Sequence, residues 1–184
     1  GWTEEEVTIE QLKLSILNTI AESYRSLGDY NQSLEINLEC VQICKEIYSN
    51  DNSLYIISLS NLALSYSNLE LYKESLEINL ECVDLIEEFY GKENEDYLRS
   101  VNNIAAIYLY FEDYNKVLDI YIECCKIGER IYSKNNIDFL TLLSNLSIAY
   151  SSVGNYQKAL EISLDVVSSY KKYNLDSLPS YHQK

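Results

Sequence analysis

The sequence predicts an all-α protein in which four helix-turn-helix pairs stack as an α-solenoid. Three observations predict this fold: an internal repeat of 42 residues, helical spacing of the apolar residues within each copy, and a shortage of turn residues. One Pro and five Gly in 184 residues are too few for the turns of a sheet protein or of a loop-rich domain. Because 47% of the residues are hydrophobic, the chain can bury a sizeable core.

The internal repeat keeps strict register over four copies, beginning with Tyr24, Tyr66, Tyr108 and Tyr150. Copies in such register must each be one structural unit that stacks on the next. The same period is kept by Tyr30, Tyr72, Tyr114 and Tyr156, by Leu34, Leu76, Leu118 and Leu160, by Ile36, Ile78, Ile120 and Ile162, and by Cys40, Cys82 and Cys124, with Val166 in the fourth place.

The apolar spacing within each copy predicts two helices with a short break between them. In the second copy, apolar residues from Leu59 to Leu69 recur at spacings of three and four, which is one face of an α-helix. Gly28 and Gly154 lie at two of the four breaks, where Gly favours a left-handed helix end. Thr3 and Glu6 predict a capping box at the start, and polar stretches at 49–52 and 133–136 supply N-cap residues between copies. The predicted helices span residues 4–27, 30–48, 53–69, 72–90, 95–111, 114–132, 137–153 and 156–173.

The helices predict one repeat domain over residues 1–173, followed by a tail at 174–184. The repeats within it span about 10–51, 52–93, 94–135 and 136–173. Since the chain lacks Met and opens with Gly1-Trp2, we expect it to be a segment of a longer protein.

The stretch from Gly91 to Tyr108, with Asn102-Asn103-Ile104-Ala105 at its centre, resembles the tetratricopeptide repeats (TPR) of kinesin light chains. Those repeats also have a 42-residue period, longer than the usual 34, and an Asn-Asn-Leu-Ala core. The resemblance covers roughly residues 10–173. It implies a right-handed solenoid whose first helices line a concave groove, and a function as an adaptor or scaffold that binds an extended peptide or partner segment there.

Helical geometry places a groove stripe beside the core stripe of each first helix. Small polar and apolar groups alternate along it, which suits a peptide with apolar anchors and backbone hydrogen bonds. The resemblance puts Asn61, Asn103 and Asn145 where the family Asn bonds the peptide backbone; alternatively, these amides satisfy helix ends or contacts between repeats. Arg99 matches a basic groove residue of the family, or is a solvated surface Arg. The candidate groove residues are Asn18, Arg25, Ser60, Asn61, Leu64, Arg99, Asn102, Asn103, Ala106, Ser144 and Asn145.

Two departures from the family argue against acidic partners. Cys44, Ile86 and Gly128 replace a basic residue of the kinesin light chain second helices, and Ser60, Asn102 and Ser144 replace the Lys of carboxylate clamps in TPR co-chaperones. The second helices instead carry acidic pairs four residues apart, which predict either a solvated convex face or a surface for a basic partner. The pairs are Glu35 and Glu39, Glu77 and Glu81, Asp119 and Glu123, and Glu161 and Asp165.

Charge and composition exclude several functions. A formal net charge of -15 disfavours nucleic acid and anionic membranes as partners, and the chain has no apolar run of 18 residues. The five Cys follow the repeat or adjoin it without metal-ligand spacing, so we expect buried free thiols, no metal or other cofactor, and a reducing, cytoplasmic setting. His182, the one histidine, lies in the tail away from any nucleophile, and no phosphate-binding loop is present, so catalysis is not predicted.

A structural role is the alternative to peptide binding. Terminal repeats normally need a polar outer face, yet only Tyr170, Tyr173 and Leu175 follow the last pair as a cap. The alternative prediction is therefore self-association through uncapped terminal repeats.

Overall fold

A computed structural model describes residues 2–47 and 53–177, with side chains described up to residue 171. These residues form eight α-helices and no strand. The helices are α1 (Glu4–Leu27), α2 (Tyr30–Ile47), α3 (Ser53–Asn68), α4 (Tyr72–Tyr90), α5 (Glu95–Tyr110), α6 (Tyr114–Ile131), α7 (Ile137–Ser152) and α8 (Tyr156–Ser177). The predicted bounds hold within one residue everywhere except at the end of α8. This helix runs four residues past the predicted end because no Gly or Pro occurs before Pro179.

The helices fall into two compact units, which divide at Gly91. Unit 1 contains α1 to α4 and unit 2 contains α5 to α8. Within each unit the helices that are neighbours in sequence pack against each other. Two repeats make up each unit, so residues 84 apart hold equivalent places in units 1 and 2. His182 and the polar stretch at 49–52 lie outside the described residues.

The helix ends confirm the capping predictions at Thr3 and in the stretch 133–136, and they add a cap at Asn94 that was not predicted. Thr3 and Glu6 form the complete capping box of α1. The side chains of Asn94 and Asn136 accept hydrogen bonds from backbone N–H groups in the first turns of α5 and α7. These caps satisfy donors that a helix start leaves open.

The break inside each repeat is a left-handed turn. Gly28 and Gly154 have φ of 82° and 80°, as their residue type predicts. Glu70 and Glu112 hold the same place in the middle two repeats with φ of 60° and 58°. A side chain at such φ is strained, so these two turns are formed against local preference.

The five cysteines lie in the core, where Cys40, Cys82 and Cys124 occupy equivalent places in the first three repeats. All five are free and buried, which confirms that part of the prediction. Burial raises the pKa of the Cys82 thiol to about 11 and that of the Cys124 thiol to about 12. Buried neutral thiols of this kind are poor nucleophiles.

Gly128 allows α6 and α7 to approach closely. A Cβ on Gly128 would lie 2.9 Å from Cδ2 of Phe139 and 3.0 Å from Cδ1 of Leu142. In unit 1 the equivalent place of Gly128 holds Cys44, whose Sγ lies 3.4 Å from Oγ of Ser58. The same helix contact is therefore filled in two ways. In unit 2 the smallest residue, Gly128, lies against the large Leu142, whereas in unit 1 the larger Cys44 lies against the small Ser58. Across the described residues, no helix has the length and apolarity needed to cross a membrane.

Candidate functional site

The candidate groove residues lie on the first helix of each repeat, as predicted. In unit 1, Leu64 is exposed and the other candidates are partly buried. In unit 2, Arg99, Asn103 and Ala106 are exposed, whereas Asn102, Ser144 and Asn145 are partly buried. Ser60 and Ser144 donate to backbone carbonyls four residues earlier in their own helices.

An amide pair joins the two first helices of unit 1. Nδ2 of Asn61 on α3 donates to Oδ1 of Asn18 on α1 at 3.3 Å. Within the described part of the chain, Nδ2 of Asn18 and Oδ1 of Asn61 make no further side-chain hydrogen bond. The pair therefore leaves one amide donor and one amide acceptor unused.

The same amide pair recurs in unit 2 with an additional anchor. Nδ2 of Asn145 on α7 donates to Oδ1 of Asn102 on α5 at 3.3 Å, and the hydroxyl of Tyr121 donates to the same oxygen at 2.8 Å. Tyr121 is buried, and burial raises its pKa to about 12. Its hydroxyl fixes the Asn102 amide, while Nδ2 of Asn102 and Oδ1 of Asn145 again have no partner among the described side chains.

Asn103 is placed differently from Asn61 and Asn145. It is exposed, and its side chain makes no hydrogen bond to any described residue. Thr19, its equivalent in unit 1, is also exposed and donates to the carbonyl of Ser15. The 42-residue register groups the three Asn residues, but the structure pairs residues 43 apart.

The basic candidates each have an acidic partner on their own helix. Arg25 is bonded to Glu22, and Nη1 of Arg99 lies 2.7 Å from Oδ1 of Asp96. These exposed pairs contribute little to stability. Each pair therefore balances the positive charge of its arginine.

The cavities beside the two amide pairs differ in size and lining. In unit 1 the cavity has about 30 Å³ and is lined by Asn18, Ala21, Glu22, Arg25, Ser33, Asn37, Asn61 and Leu64. In unit 2, Asn145 lines two cavities. The larger, which we call the charged pocket, has about 430 Å³ and is lined by Glu95, Leu98, Arg99, Asn102, Tyr132, Asp138, Thr141, Leu142 and Asn145. The smaller, which we call the apolar pocket, has about 80 Å³ and is lined by Leu109, Val117, Tyr121, Asn145, Ile148 and Ala149.

Residues beneath the amide pairs explain part of this difference. In unit 1, Nδ2 of buried Asn37 donates to Oγ of Ser65 at 2.8 Å, and Oγ of Ser33 lies 3.5 Å from the same oxygen. Unit 2 has Val117, Tyr121 and Ala149 at the three equivalent places, so a polar network gives way to an apolar wall. Sequence reasoning missed this exchange, although the 84-residue offset is visible in the sequence.

The described residues contain no group of three or more His, Cys, Asp or Glu side chains placed to hold a metal ion. The candidate groove residues and the cavities beside them offer hydrogen bonds, apolar contacts and fixed charges, which are the interactions by which proteins bind peptides.

Models for the tetratricopeptide repeat match residues 12–78, 55–130 and 139–174. No curated protein matches the sequence. TPR-like repeats assigned to a kinesin light chain of Podosopora anserina have 18% identity and a TM-score of 0.77, over 92% of this chain and 84% of theirs. BtubC (BKLC) from P. vanneervenii has 17% identity and a TM-score of 0.81, over 95% of this chain and 68% of its own.

A third similar structure is a Rap protein complexed with Competence and Sporulation Factor. It has 16% identity and a TM-score of 0.71, over 95% of this chain and 46% of the Rap protein. At these identities the likenesses concern the fold. Together with the eight helices they confirm the all-α helical repeat solenoid and the resemblance to kinesin light chain repeats.

Proposed function

We propose that this chain, which belongs to the tetratricopeptide repeat family, binds an extended peptide segment of a partner protein along the first helices of its repeats. The family is one of non-enzymatic protein-interaction modules, so the general role is contact with another protein. The structurally similar Rap protein is itself complexed with a factor, which supports such a role for this fold.

The amide pair is the observation that carries the proposal. Asn102 offers an unused N–H donor and Asn145 an unused carbonyl acceptor, and Asn18 and Asn61 offer the same two groups in unit 1. A peptide unit presents one carbonyl and one N–H, so each pair complements one peptide unit of an extended segment. Because the pairs stand at equivalent places, the arrangement is a repeated feature of the chain.

Exposed apolar side chains supply anchors beside the amides. Ile57 and Leu64 flank Asn61 on α3, and Ile148 follows Asn145 on α7, where it lines the apolar pocket. Backbone hydrogen bonds with alternating side-chain contacts are the usual means of holding an extended peptide. Asn145 links both kinds of contact in unit 2.

The test begins with a selection of random twelve-residue peptides against the whole chain, followed by binding measurements on the selected sequences. Asn103→Ala removes an exposed side chain that has no hydrogen bond of its own, so the fold should keep its stability. If Asn103 contacts the peptide, affinity falls about three- to twelve-fold, as expected for one neutral hydrogen bond. Ile148→Ser should also weaken binding, through the apolar pocket.

The matched control is Asp119→Asn with Glu123→Gln on α6. Both side chains are exposed on the predicted convex face, so peptide affinity should stay within about twofold of the wild-type value. Binding that is salt-sensitive, is lost in this control and is unchanged in Asn103→Ala and Ile148→Ser would place the partner on the convex face.

A second candidate function is end-to-end association of copies, favoured by exposed apolar residues on α1 and α8. Val167 on α8 is 49% exposed, whereas its equivalents Val41 and Cys125 are 7% and 6% exposed and lie on helices that pack against the next one. Ile16 on α1 is 52% exposed, whereas its equivalent Leu142 on α7 is 8% exposed. The exposed face of α8 is therefore of the kind that packs against the first helix of a following repeat, and the exposed face of α1 is of the kind that packs against the second helix of a preceding repeat. For this reason α8 of one copy can pack against α1 of another.

Sedimentation velocity tests this second candidate with two variants, Ile16→Asp and Val167→Asp. A head-to-tail contact uses different faces on the two copies. Each variant alone should therefore be monomeric, and their equimolar mixture should form a dimer and nothing larger. At about 0.5 mM, an association free energy of about 4 kcal/mol would give a detectable fraction of dimer. A wild-type chain that is still monomeric at this concentration excludes the candidate.

A further inference from the structure

The charged pocket of unit 2 has the dimensions of a side-chain site. Its volume is about 430 Å³, which is that of roughly fourteen water molecules at about 30 Å³ each. It lies between α5 and α7 beside the amide pair, because Asn102 and Asn145 line it. A peptide held by that pair would carry a neighbouring side chain into the pocket.

The charges that line the pocket are unbalanced. Glu95 and Asp138 contribute two carboxylates from the first turns of α5 and α7. Arg99 contributes one guanidinium, whose charge is opposed by Asp96 at 2.7 Å on the same helix. The four groups together carry a net charge of about minus two at neutral pH.

Tyr132 reports the sign of the field inside the pocket. Burial raises its pKa, and the carboxylates of Glu95 and Asp138 raise that pKa further, against a smaller opposite effect of Arg99. Negative charge therefore prevails at the wall that Tyr132 forms.

The charges are specific to unit 2. The places equivalent to Glu95, Arg99 and Asp138 hold Gln11, Ser15 and Leu54 in unit 1. Acidic residues in the first turn stabilise a helix whichever way their side chains point. Helix stabilisation alone therefore does not explain why Glu95 and Asp138 both line the cavity. The repeat by itself does not produce this pocket.

We propose that the charged pocket binds the Lys or Arg side chain of a peptide held by Asn102 and Asn145, so that the partner segment carries a basic residue in register with the amide pair. This inference rests on the proposed function. Charge complementarity favours a cation, because a carboxylate in the same place would meet two like charges and an Arg that already has an acidic partner.

The experiment uses the whole chain and a library of capped twelve-residue peptides in which each position is randomised. We expect Lys and Arg to be enriched at one position against the input library. In Glu95→Gln with Asp138→Asn that enrichment should vanish, and affinity for the best basic peptide should fall about tenfold or more. Circular dichroism checks that the variant is folded, and each single substitution should give an intermediate loss.

The control separates the pocket from the general acidity of the chain. Asp119→Asn with Glu123→Gln changes the net charge by the same amount, and it should leave both the enrichment and the affinity unchanged. Enrichment of Asp or Glu, a basic preference that persists in the pocket variant, or an equal loss in the control would overturn the inference.

The same selection distinguishes failure of the inference from failure of the proposed function. Peptides that depend on Ile148 without any basic preference would refute the pocket and leave the groove standing. As a separate probe, N-acetyl-arginine N-methylamide should shift the NMR signals of the Asn102 and Asn145 side-chain amides, and N-acetyl-glutamate N-methylamide should not. If the arginine probe binds but no peptide does, the groove is wrong, and only the preference of the pocket for a basic side chain stands. If the glutamate probe binds equally well, that preference is wrong.

Discussion

Asn102→Ala should destabilise unit 2 because it leaves the buried hydroxyl of Tyr121 without a hydrogen-bond acceptor. Oδ1 of Asn102 accepts hydrogen bonds from the hydroxyl of Tyr121 at 2.8 Å and from Nδ2 of Asn145 at 3.3 Å. Tyr121 is only 6% exposed, so water has little access to replace the acceptor. A buried donor without a partner costs about 1–3 kcal/mol, and the longer bond at the partly exposed edge adds little. We therefore expect the free energy of unfolding to fall by about 1–3 kcal/mol.

Two further variants isolate the cause. Tyr121→Phe in the Asn102→Ala background removes the stranded donor, so the double variant should be more stable than Asn102→Ala alone. The coupling between the two sites should be about 0.5–3 kcal/mol, as for other residues in direct contact. Asn103→Ala, the exposed neighbour, should stay within about 0.5 kcal/mol of the wild-type value.

Urea unfolding followed by far-ultraviolet circular dichroism measures these differences at equal m-values. An Asn102→Ala variant with the wild-type midpoint would refute the structural role given to this amide. An Asn103→Ala variant that loses as much as Asn102→Ala would refute the distinction drawn between the two neighbouring amides.

Three further predictions concern turns, packing and pH. Glu112→Gly should raise the free energy of unfolding by about 1 kcal/mol, since Gly adopts φ of 58° without strain; a lower urea midpoint would contradict this. Gly128→Ala should lower the melting temperature, because overpacking against Phe139 costs about 1–3 kcal/mol and helix propensity returns about 1 kcal/mol; a rise would show that α6 and α7 can separate freely. The folded-state pKa values of Cys82 and Cys124, about 11 and 12, exceed the unfolded value of about 8.5. Their contribution to stability is therefore complete below about pH 8.5 and is lost as pH rises toward those values, by up to about 1.4 kcal/mol per pH unit for each thiol. Urea midpoints at pH 8 and pH 10 measure this loss, and Cys82→Ala should reduce it.

The repeat made the helices predictable because every helix restates the same apolar spacing. Caps such as Thr3 and Asn136 could be predicted locally, since a cap depends on residues within one turn. The turns at Glu70 and Glu112 were identified by register alone, because their residue type argues against a left-handed conformation. There the requirement to dock two helices overrides local preference.

The site was less predictable because it depends on which helices meet and how their surfaces fit. Asn61 and Asn145 were found by period, but their partners Asn18 and Asn102 follow from the offset between packed helices. The role of Tyr121 was missed because its equivalents Asn37 and Asn79 are short amides that bond elsewhere. Cavity volume depends on all the lining side chains together, so the charged pocket could not be inferred from any single position.

Both units contain buried free cysteines, so the reactivity of these thiols can be used to measure local opening of the fold. Cys40, Cys44 and Cys82 are buried in unit 1, and Cys124 and Cys125 are buried in unit 2. A thiol-reactive label can reach each of them only when its helices separate, so the labelling rate at each cysteine measures how often that part of the fold opens. Native-state labelling would therefore compare the opening of the two units residue by residue, in the unaltered protein.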